Sequence, residues 1–148
     1  MRASPLFPWR RLLGLLLVSG VLGSAQATDD GADHSVTVEK MAQSFVINAD
    51  GSYVQDYESV VRINEERGIR SQAQQPVSYN RSLDTLEIVE AFTHKPDGRK
   101  VPVSAEQIKE QQERASADAP MFQASRVKVV LFPEVAVGDR LILRFQRV

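Results

Sequence analysis

The feature that most constrains the fold of this sequence is an aspartate-glycine pair between two extended segments. Asp50-Gly51 separates residues 44–48 (SFVIN) from residues 52–64, in which apolar and polar residues alternate. A tight hairpin needs positive backbone angles, which glycine adopts without steric cost. The pair therefore predicts two antiparallel strands joined by a short turn.

A second turn of the same chemistry lies near the middle of the chain. Lys95-Pro96 and Asp97-Gly98 separate residues 83–94 from residues 99–103. Proline presets its own backbone angle, aspartate bonds the local backbone, and glycine closes the turn. Two hairpins with the same turn chemistry indicate an all-β domain.

Alternation of apolar residues supports the same interpretation, because residues two apart share one face of a strand. The clearest case is the last segment, where Leu141, Leu143 and Phe145 alternate with more polar neighbours. The same spacing occurs in two other segments, at Tyr53, Tyr57, Val61 and Ile63 and at Val127, Val129 and Leu131, the latter with Lys128 on the opposite face. We predict a mainly antiparallel, β-sandwich-like fold with one short helix.

The short helix is placed at Ser104, which forms an S-x-x-Q capping box with Gln107. Ile108 is the one large apolar residue between Ser104 and Ser116, so such a helix buries little surface. A short solvated helix and a mobile loop both fit this composition. Residues 67–77 are polar and weakly patterned, and they are predicted to form an irregular loop or an edge strand.

The N-terminal residues have the three parts of a secretory signal in order. Arginines lead into the apolar run 12–23, and a small-x-small pattern precedes the cleavage point, at Ala25, Ala27 and Thr28. A transmembrane helix needs about 20 apolar residues, which is longer than this run. We expect cleavage, with an uncleaved anchor or a buried helix as the alternatives.

These features divide the chain into a signal peptide at 1–27, a flexible tail at 28–34 and a β domain at 35–148. The product is expected in the periplasm or outside the cell, with no stable membrane insertion after cleavage. The leader carries basic residues only, and without it the net charge changes from −1 to −4. A mildly acidic domain is not expected to bind nucleic acid.

The chain has 148 residues and no cysteine, which excludes disulfides, thiolate metal sites and a thiol nucleophile. Its two histidines, His34 and His94, are distant in sequence and have no metal-ligand spacing around them. No serine-hydrolase turn and no glycine-rich phosphate loop occurs. We therefore expect no catalytic residue, no metal, no cofactor and no enzyme activity.

Three tyrosines are the candidate ligand or partner surface: Tyr53, Tyr57 and Tyr79. A tyrosine offers an apolar ring and a polar tip, which suits a sugar or peptide groove. The favoured alternative places the rings in the sandwich core with each hydroxyl at its rim.

A family resemblance follows from two groups of residues. The first group comprises Ser78-Tyr79-Asn80, Leu83, Leu86, Ile88, Ala91, Lys95-Pro96-Asp97-Gly98 and Val101-Pro102. The second comprises Val127-Lys128-Val129-Val130 and Phe132-Pro133-x-Val135-x-x-Gly138-Asp139. From about Ser35 onward the chain resembles domain of unknown function 3857, an exported β-sandwich-like module found N-terminal to transglutaminase-like domains.

The resemblance implies fold but no catalytic residue, because the reactive Cys, His and Asp of such proteins lie in the following domain. The pattern normally continues past Val148, so we expect a truncated or split version whose last strand leaves an unpaired edge. The predicted function is a non-catalytic interaction or scaffold module. Its expected partner, bound by strand addition, is a separately encoded transglutaminase- or protease-like protein or a cell-envelope component. The alternative is a small-ligand domain for peptide or cell-wall glycan, using the tyrosines and residues 67–77.

Overall fold

The structure, a computed structural model, describes residues 34–112 and 124–148. The signal peptide, its cleavage residues Ala25, Ala27 and Thr28, and most of the predicted tail lie outside these ranges. The strands are β1 (Val36–Ile47), β2 (Tyr53–Ile63), β3 (Gln74–Asn80), β4 (Leu86–His94), β5 (Lys100–Pro102), β6 (Ile108–Gln112), β7 (Ser125–Leu131) and β8 (Arg140–Arg147). One α-helix, α1, spans Glu66–Gln72.

The described strands form two antiparallel sheets. The larger sheet has the order β1-β2-β8-β4-β5, and the smaller has the order β3-β7-β6. The core between them draws residues from both sheets: Ile63, Val77, Leu86, Val130, Phe132, Leu141, Leu143 and Phe145. The predicted antiparallel all-β fold with one short helix is confirmed.

Both predicted hairpin turns are present. Gly51 has φ 86° and joins β1 to β2, and the Asp50 carboxylate accepts a hydrogen bond from the Ser52 amide at 2.9 Å. Gly98 has φ 90° between β4 and β5, and Asp97 accepts a bond from the Arg99 amide at 2.9 Å. In each turn glycine supplies the positive angle while aspartate holds the following amide.

The last strand lies at the centre of the larger sheet. β8 pairs with β2 on one side and with β4 on the other. Beyond its end, the amide of Val148 donates to the carbonyl of Thr85 at 3.0 Å. The expectation that this strand leaves an unpaired edge is wrong, because alternation identifies the buried face of a strand and not its neighbours. The edges of this sheet are β1 and β5.

The short helix lies elsewhere than predicted. The capping box of Ser104 and Gln107 is formed, but it caps a single 3-10 turn, Ala105–Gln107. From Ile108 the chain continues as β6, where Ile108 pairs with Val130. A helix with one apolar residue has almost nothing to bury, whereas a strand beside β7 satisfies its backbone groups in a ladder. The prediction of a helix or mobile loop is therefore wrong for residues 108–112.

Residues 67–77 contain most of the observed helix. α1 begins at Glu66, Ile69 packs against the core, and the buried Gly68 lies beside the carbonyl of Ser35. The edge strand predicted as an alternative for residues 67–77 is present in part, because β3 is an edge of the smaller sheet.

The inward face of β7 carries a lysine. Val130 is fully buried, and Lys128, two positions earlier, shares its face. The Lys128 ammonium donates to the carbonyl of Leu86 at 2.6 Å and lies 5.7 Å from the centre of the Tyr79 ring. The apolar run Val127, Val129 and Leu131 occupies the opposite face of this strand.

Candidate interaction surface

β1 is a long strand at the edge of the larger sheet. It pairs with β2 along its length, with Phe45 opposite Gln55 and Ile47 opposite Tyr53. Residues opposite one another share a face of the sheet, and on β2 this face continues to the core residue Ile63. Alternate residues of β1 therefore point to the side of the sheet on which the core lies.

Four of these alternate residues are apolar and open to solvent, and the polar Gln43 lies between two of them. The exposed fractions are 53% for Val38, 66% for Met41, 54% for Phe45 and 74% for Ile47. We refer to these four side chains as the β1 apolar face. Exposed apolar side chains along a strand that the described residues leave at the edge of a sheet are typical of an interaction site.

The β1 apolar face is continuous with the packed interior. Val36, on the same side of β1, packs against the core. The Phe45 and Tyr53 rings lie 6.0 Å apart, and Tyr57 on the same face stacks on Phe145 with ring centres 4.7 Å apart. Phe45, its one aromatic member, thus lies beside Tyr53, and Tyr57 farther along the same side of β2 stacks on a core ring.

Charged side chains flank this surface without entering it. Lys40 forms an ion pair with Glu58 at 2.7 Å. Glu39, beside the irregularity in pairing between Val38 and Lys40, accepts a hydrogen bond from Arg140 at 2.6 Å. That bond, with the positive charge of Arg140, lowers the pKa of the Glu39 carboxyl below its usual value. From Met41 to Ile47 the strand carries no charge.

The three predicted tyrosines occupy separate places. The Tyr53 hydroxyl donates to Asp84 at 3.3 Å, and the Tyr79 hydroxyl donates to Glu110 at 2.7 Å. Burial and the bond to Glu110 together raise the pKa of Tyr79. Tyr57 and Tyr79 pack against the core, and within the described residues no ring contact joins any two of the three tyrosines. This arrangement favours rings packed at the core rim over one shared tyrosine groove.

A buried ion pair lies at the other end of the larger sheet. The Lys95 ammonium is 2.8 Å from the carboxylate of Asp139, and their side chains are 11% and 1% exposed. Lys95 also donates to the carbonyl of Glu134, and Asp139 accepts from the Ala136 amide. Lys95, at the turn between β4 and β5, is thus buried beside a partner that is distant in sequence and adjacent in the fold. The pair holds the loop before β8 against the second hairpin.

The histidines occupy structural positions. His94 meets the Phe92 ring edge-on, with centres 6.3 Å apart, and the backbone carbonyl of His34 accepts a bond from the Asn64 side chain at 3.0 Å. Across residues 34–112 and 124–148 there is no group of three or more His, Cys, Asp or Glu side chains placed to hold a metal ion. None of the helices in this part of the chain has the length and apolar character needed to cross a bilayer.

The sequence profile of a domain of unknown function with a solved structure, DUF3857, matches residues 49–148. The chain belongs to the DUF3857 family. The resemblance drawn from the turn and core residues is thereby confirmed. A search of curated proteins finds no match to this DUF3857 chain.

Its fold is similar to the crystal structure of a "putative protease" from Parabacteroides distasonis, with a TM-score of 0.74 and 22% sequence identity. The similarity covers 78% of this chain and 23% of that protein. At this identity the similarity concerns the fold alone. The DUF3857 chain spans about a quarter of the length of the protein it matches.

Proposed function

We propose that this DUF3857 chain is an exported, non-catalytic interaction module that docks an extended polypeptide segment along β1. The observation that carries the proposal is the combination of the exposed β1 apolar face with a strand edge that the described residues leave unpaired. Strand addition uses these two features together, because the edge supplies main-chain hydrogen bonds and the alternate side chains supply contact area.

The energetics favour coverage of this surface. Val38, Met41, Phe45 and Ile47 are each more than half exposed. Burying a large apolar side chain contributes about 1.5–3 kcal/mol relative to leaving it exposed. A strand added beside β1 contacts these side chains from one side and gains part of this apolar contribution in addition to its ladder of backbone bonds.

The proposed partner class is the one expected from the sequence. The candidates are a separately encoded transglutaminase- or protease-like protein and a component of the cell envelope. In support, a fold of this kind forms about a quarter of the longer Parabacteroides protein. The N-terminal leader pattern favours export to the periplasm or beyond, where such partners would be met.

A non-catalytic role fits the side-chain chemistry. The chain has no cysteine, and the His94 ring packs edge-on against Phe92. The one buried ion pair among the described residues, Lys95 with Asp139, binds loop backbone and holds two chain segments together. We therefore assign these groups a structural role rather than an acid–base or nucleophilic one.

Site-specific photo-cross-linking in cells tests the proposal. The full chain, expressed with its own leader, carries a benzophenone amino acid at position 45 or at position 83. Leu83 is an exposed apolar residue outside β1, so it provides a matched control. We expect adducts to another polypeptide from position 45, and their loss when Met41→Lys is added. Equal labelling from positions 45 and 83, or labelling unaffected by Met41→Lys, would contradict docking along β1.

The second candidate is the small-ligand domain, favoured by an open cavity of about 570 Å³. Asp56, Glu58, Arg144 and Gln146 are among its lining residues, so polar groups that suit a peptide or glycan line this cavity. Retention on purified peptidoglycan by wild type but not by Arg144→Ala would support this function. Arg144 also pairs with Glu90, so an unchanged unfolding midpoint of the variant is the required control.

A further inference from the structure

We propose that the occupant of β1 is β1 of a second copy of this chain, paired antiparallel about a two-fold axis at Ser44. This inference rests on the proposed docking along β1, and it places a second copy of the chain there instead of a separately encoded partner. Two sheets of the order β1-β2-β8-β4-β5 would then join into one continuous ten-stranded sheet.

The first argument is the absence of charge along the exposed edge. Natural edge strands are usually protected from pairing by a lysine, by a proline or by a charged side chain that points inward. Residues 41–47 (MAQSFVI) contain no charged residue, no proline and no glycine. The nearest lysine, Lys40, is held by Glu58 at 2.7 Å and leaves the edge unprotected. Because the run is neutral, two identical copies meet without repulsion.

The second argument is the register. An axis at Ser44 places Met41 opposite Ile47 and Gln43 opposite Phe45, so each member of the uncharged run faces another member. Lys40 then lies opposite Asn48, and no like charges oppose one another. The two Phe45 rings become diagonal neighbours, roughly 7–8 Å apart and within reach of contact.

Neighbouring registers are poorer. An axis at Gln43 places Glu39 opposite Ile47, which sets an ionised carboxylate against an apolar side chain. An axis at Phe45 places Met41 opposite Ala49, beyond the end of β1. The axis at Ser44 is the one that uses the whole uncharged run.

The first test is the mass of the native product in solution. The full chain is expressed with its own leader, purified from the compartment in which it accumulates, and examined by sedimentation velocity. We expect a dimer for wild type, a monomer for Phe45→Lys and a dimer for the control Leu83→Lys. A wild-type monomer at all concentrations, or dissociation caused equally by Leu83→Lys, overturns the inference.

The second test examines the register and does not depend on weakening the fold. The chain has no cysteine, so a single introduced thiol reports contact between copies. Ser44→Cys places two thiols at one paired position, about 4.5–5.5 Å apart between Cα atoms. Ala42→Cys leaves the two thiols about 13 Å apart, because position 42 of one copy and position 42 of the other are offset along the strands by four residues of roughly 3.4 Å each. We expect a disulfide dimer from Ser44→Cys alone, and equal cross-linking of both variants contradicts the register.

The outcomes separate this inference from the proposed function. If the wild type is monomeric but position 45 still cross-links to a different polypeptide, the second copy is excluded as the occupant and docking along β1 is supported. If the wild type is monomeric and no adduct depends on β1, both the second copy and docking along β1 are contradicted. An adduct at position 45 with twice the mass of the chain, together with the Ser44→Cys disulfide, supports both.

Discussion

At the scale of single residues, the buried pair of Lys95 and Asp139 is the clearest example of a group placed by distant parts of the chain. Asp139 is almost fully buried and accepts bonds from Lys95 and from the Ala136 amide, at 2.8 and 2.7 Å. Thr93 adds a bond to the carbonyl of Pro133 at 2.7 Å. Together these contacts attach the loop before β8 to β4 and its hairpin.

Removing one partner should be costly because the other charge stays buried. We expect Asp139→Ala to lower the free energy of unfolding by about 3 kcal/mol. The neighbouring pair of Arg99 and Glu134 is more than half exposed at 3.0 Å, so Arg99→Ala should cost less than about 1 kcal/mol. Urea unfolding of both variants measures the difference, and equal losses would contradict the assigned role of Asp139.

Tyr79 gives a prediction about pH. Burial and the bond to Glu110 raise the pKa of its hydroxyl, so the folded protein holds this proton more tightly than the unfolded chain. Its contribution to stability is complete below the ordinary tyrosine pKa of about 10 and is lost as the pH rises through the raised value. The stability difference between wild type and Tyr79→Phe should therefore shrink at alkaline pH. A constant difference in denaturant titrations from neutral to alkaline pH would show that the bond does not govern this proton.

At the scale of elements, two glycines are required for different reasons. Gly51 has φ 86°, and no atom lies within 4 Å of the position that a Cβ atom would take. A side chain there would therefore clash with nothing, and its cost would come from the strained backbone angle. Gly68 lies in α1, where a Cβ atom would be 2.3 Å from the carbonyl oxygen of Ser35. That carbonyl accepts bonds from the amides of Asn64 and Glu65, which tie the start of β1 to α1.

Alanine should therefore destabilise at both positions. Gly51→Ala is expected to cost about 1–2 kcal/mol from the left-handed backbone alone. Gly68→Ala gains about 1 kcal/mol of helix propensity but must displace backbone, and we expect a net loss of about 2 kcal/mol. Thermal unfolding compares the two variants, and a net gain for Gly68→Ala would mean that Ser35 moves aside easily.

The elements that could be predicted from sequence are those with local causes. The turns at Asp50-Gly51 and Asp97-Gly98 were found because glycine and aspartate determine a turn within four residues. α1 was missed because Ile69 is its one side chain packed against the core, so no amphipathic period appears. β6 was missed because the capping box of Ser104 is real but ends after a single turn. The turn ends at Gln107 because the next residues pair with β7, which is distant in sequence.

At the scale of the whole molecule, the candidate site could be predicted only in part. The tyrosines were chosen for their chemistry, yet the structure places them at separate points of the core rim. Met41, Phe45 and Ile47 were missed as a surface because alternation predicts a buried face whether or not a second sheet covers it. The neutral run at 41–47, which carries no gatekeeper charge, was the available signal.

The position of β8 changes where a partner can bind. Since β8 is paired on both sides, a strand cannot add at the C-terminal segment. Among the described strands β1 is a long edge paired on one side, and it is the edge at which we propose that another strand is added. The interaction function predicted from the sequence is therefore proposed at β1, which lies on the other side of β2 from β8.

Amide hydrogen exchange of β1 in the native, full-length product tests the central claim most directly. On a free edge strand alternate amides point to solvent and exchange rapidly, whereas a covered edge protects all of them. We predict that exchange across residues 41–47 slows as protein concentration rises or as a polypeptide partner is added, while β8, paired on both sides, serves as the constant reference. Rapid exchange of alternate β1 amides under every condition, with β8 fully protected, would contradict a docking role for this edge.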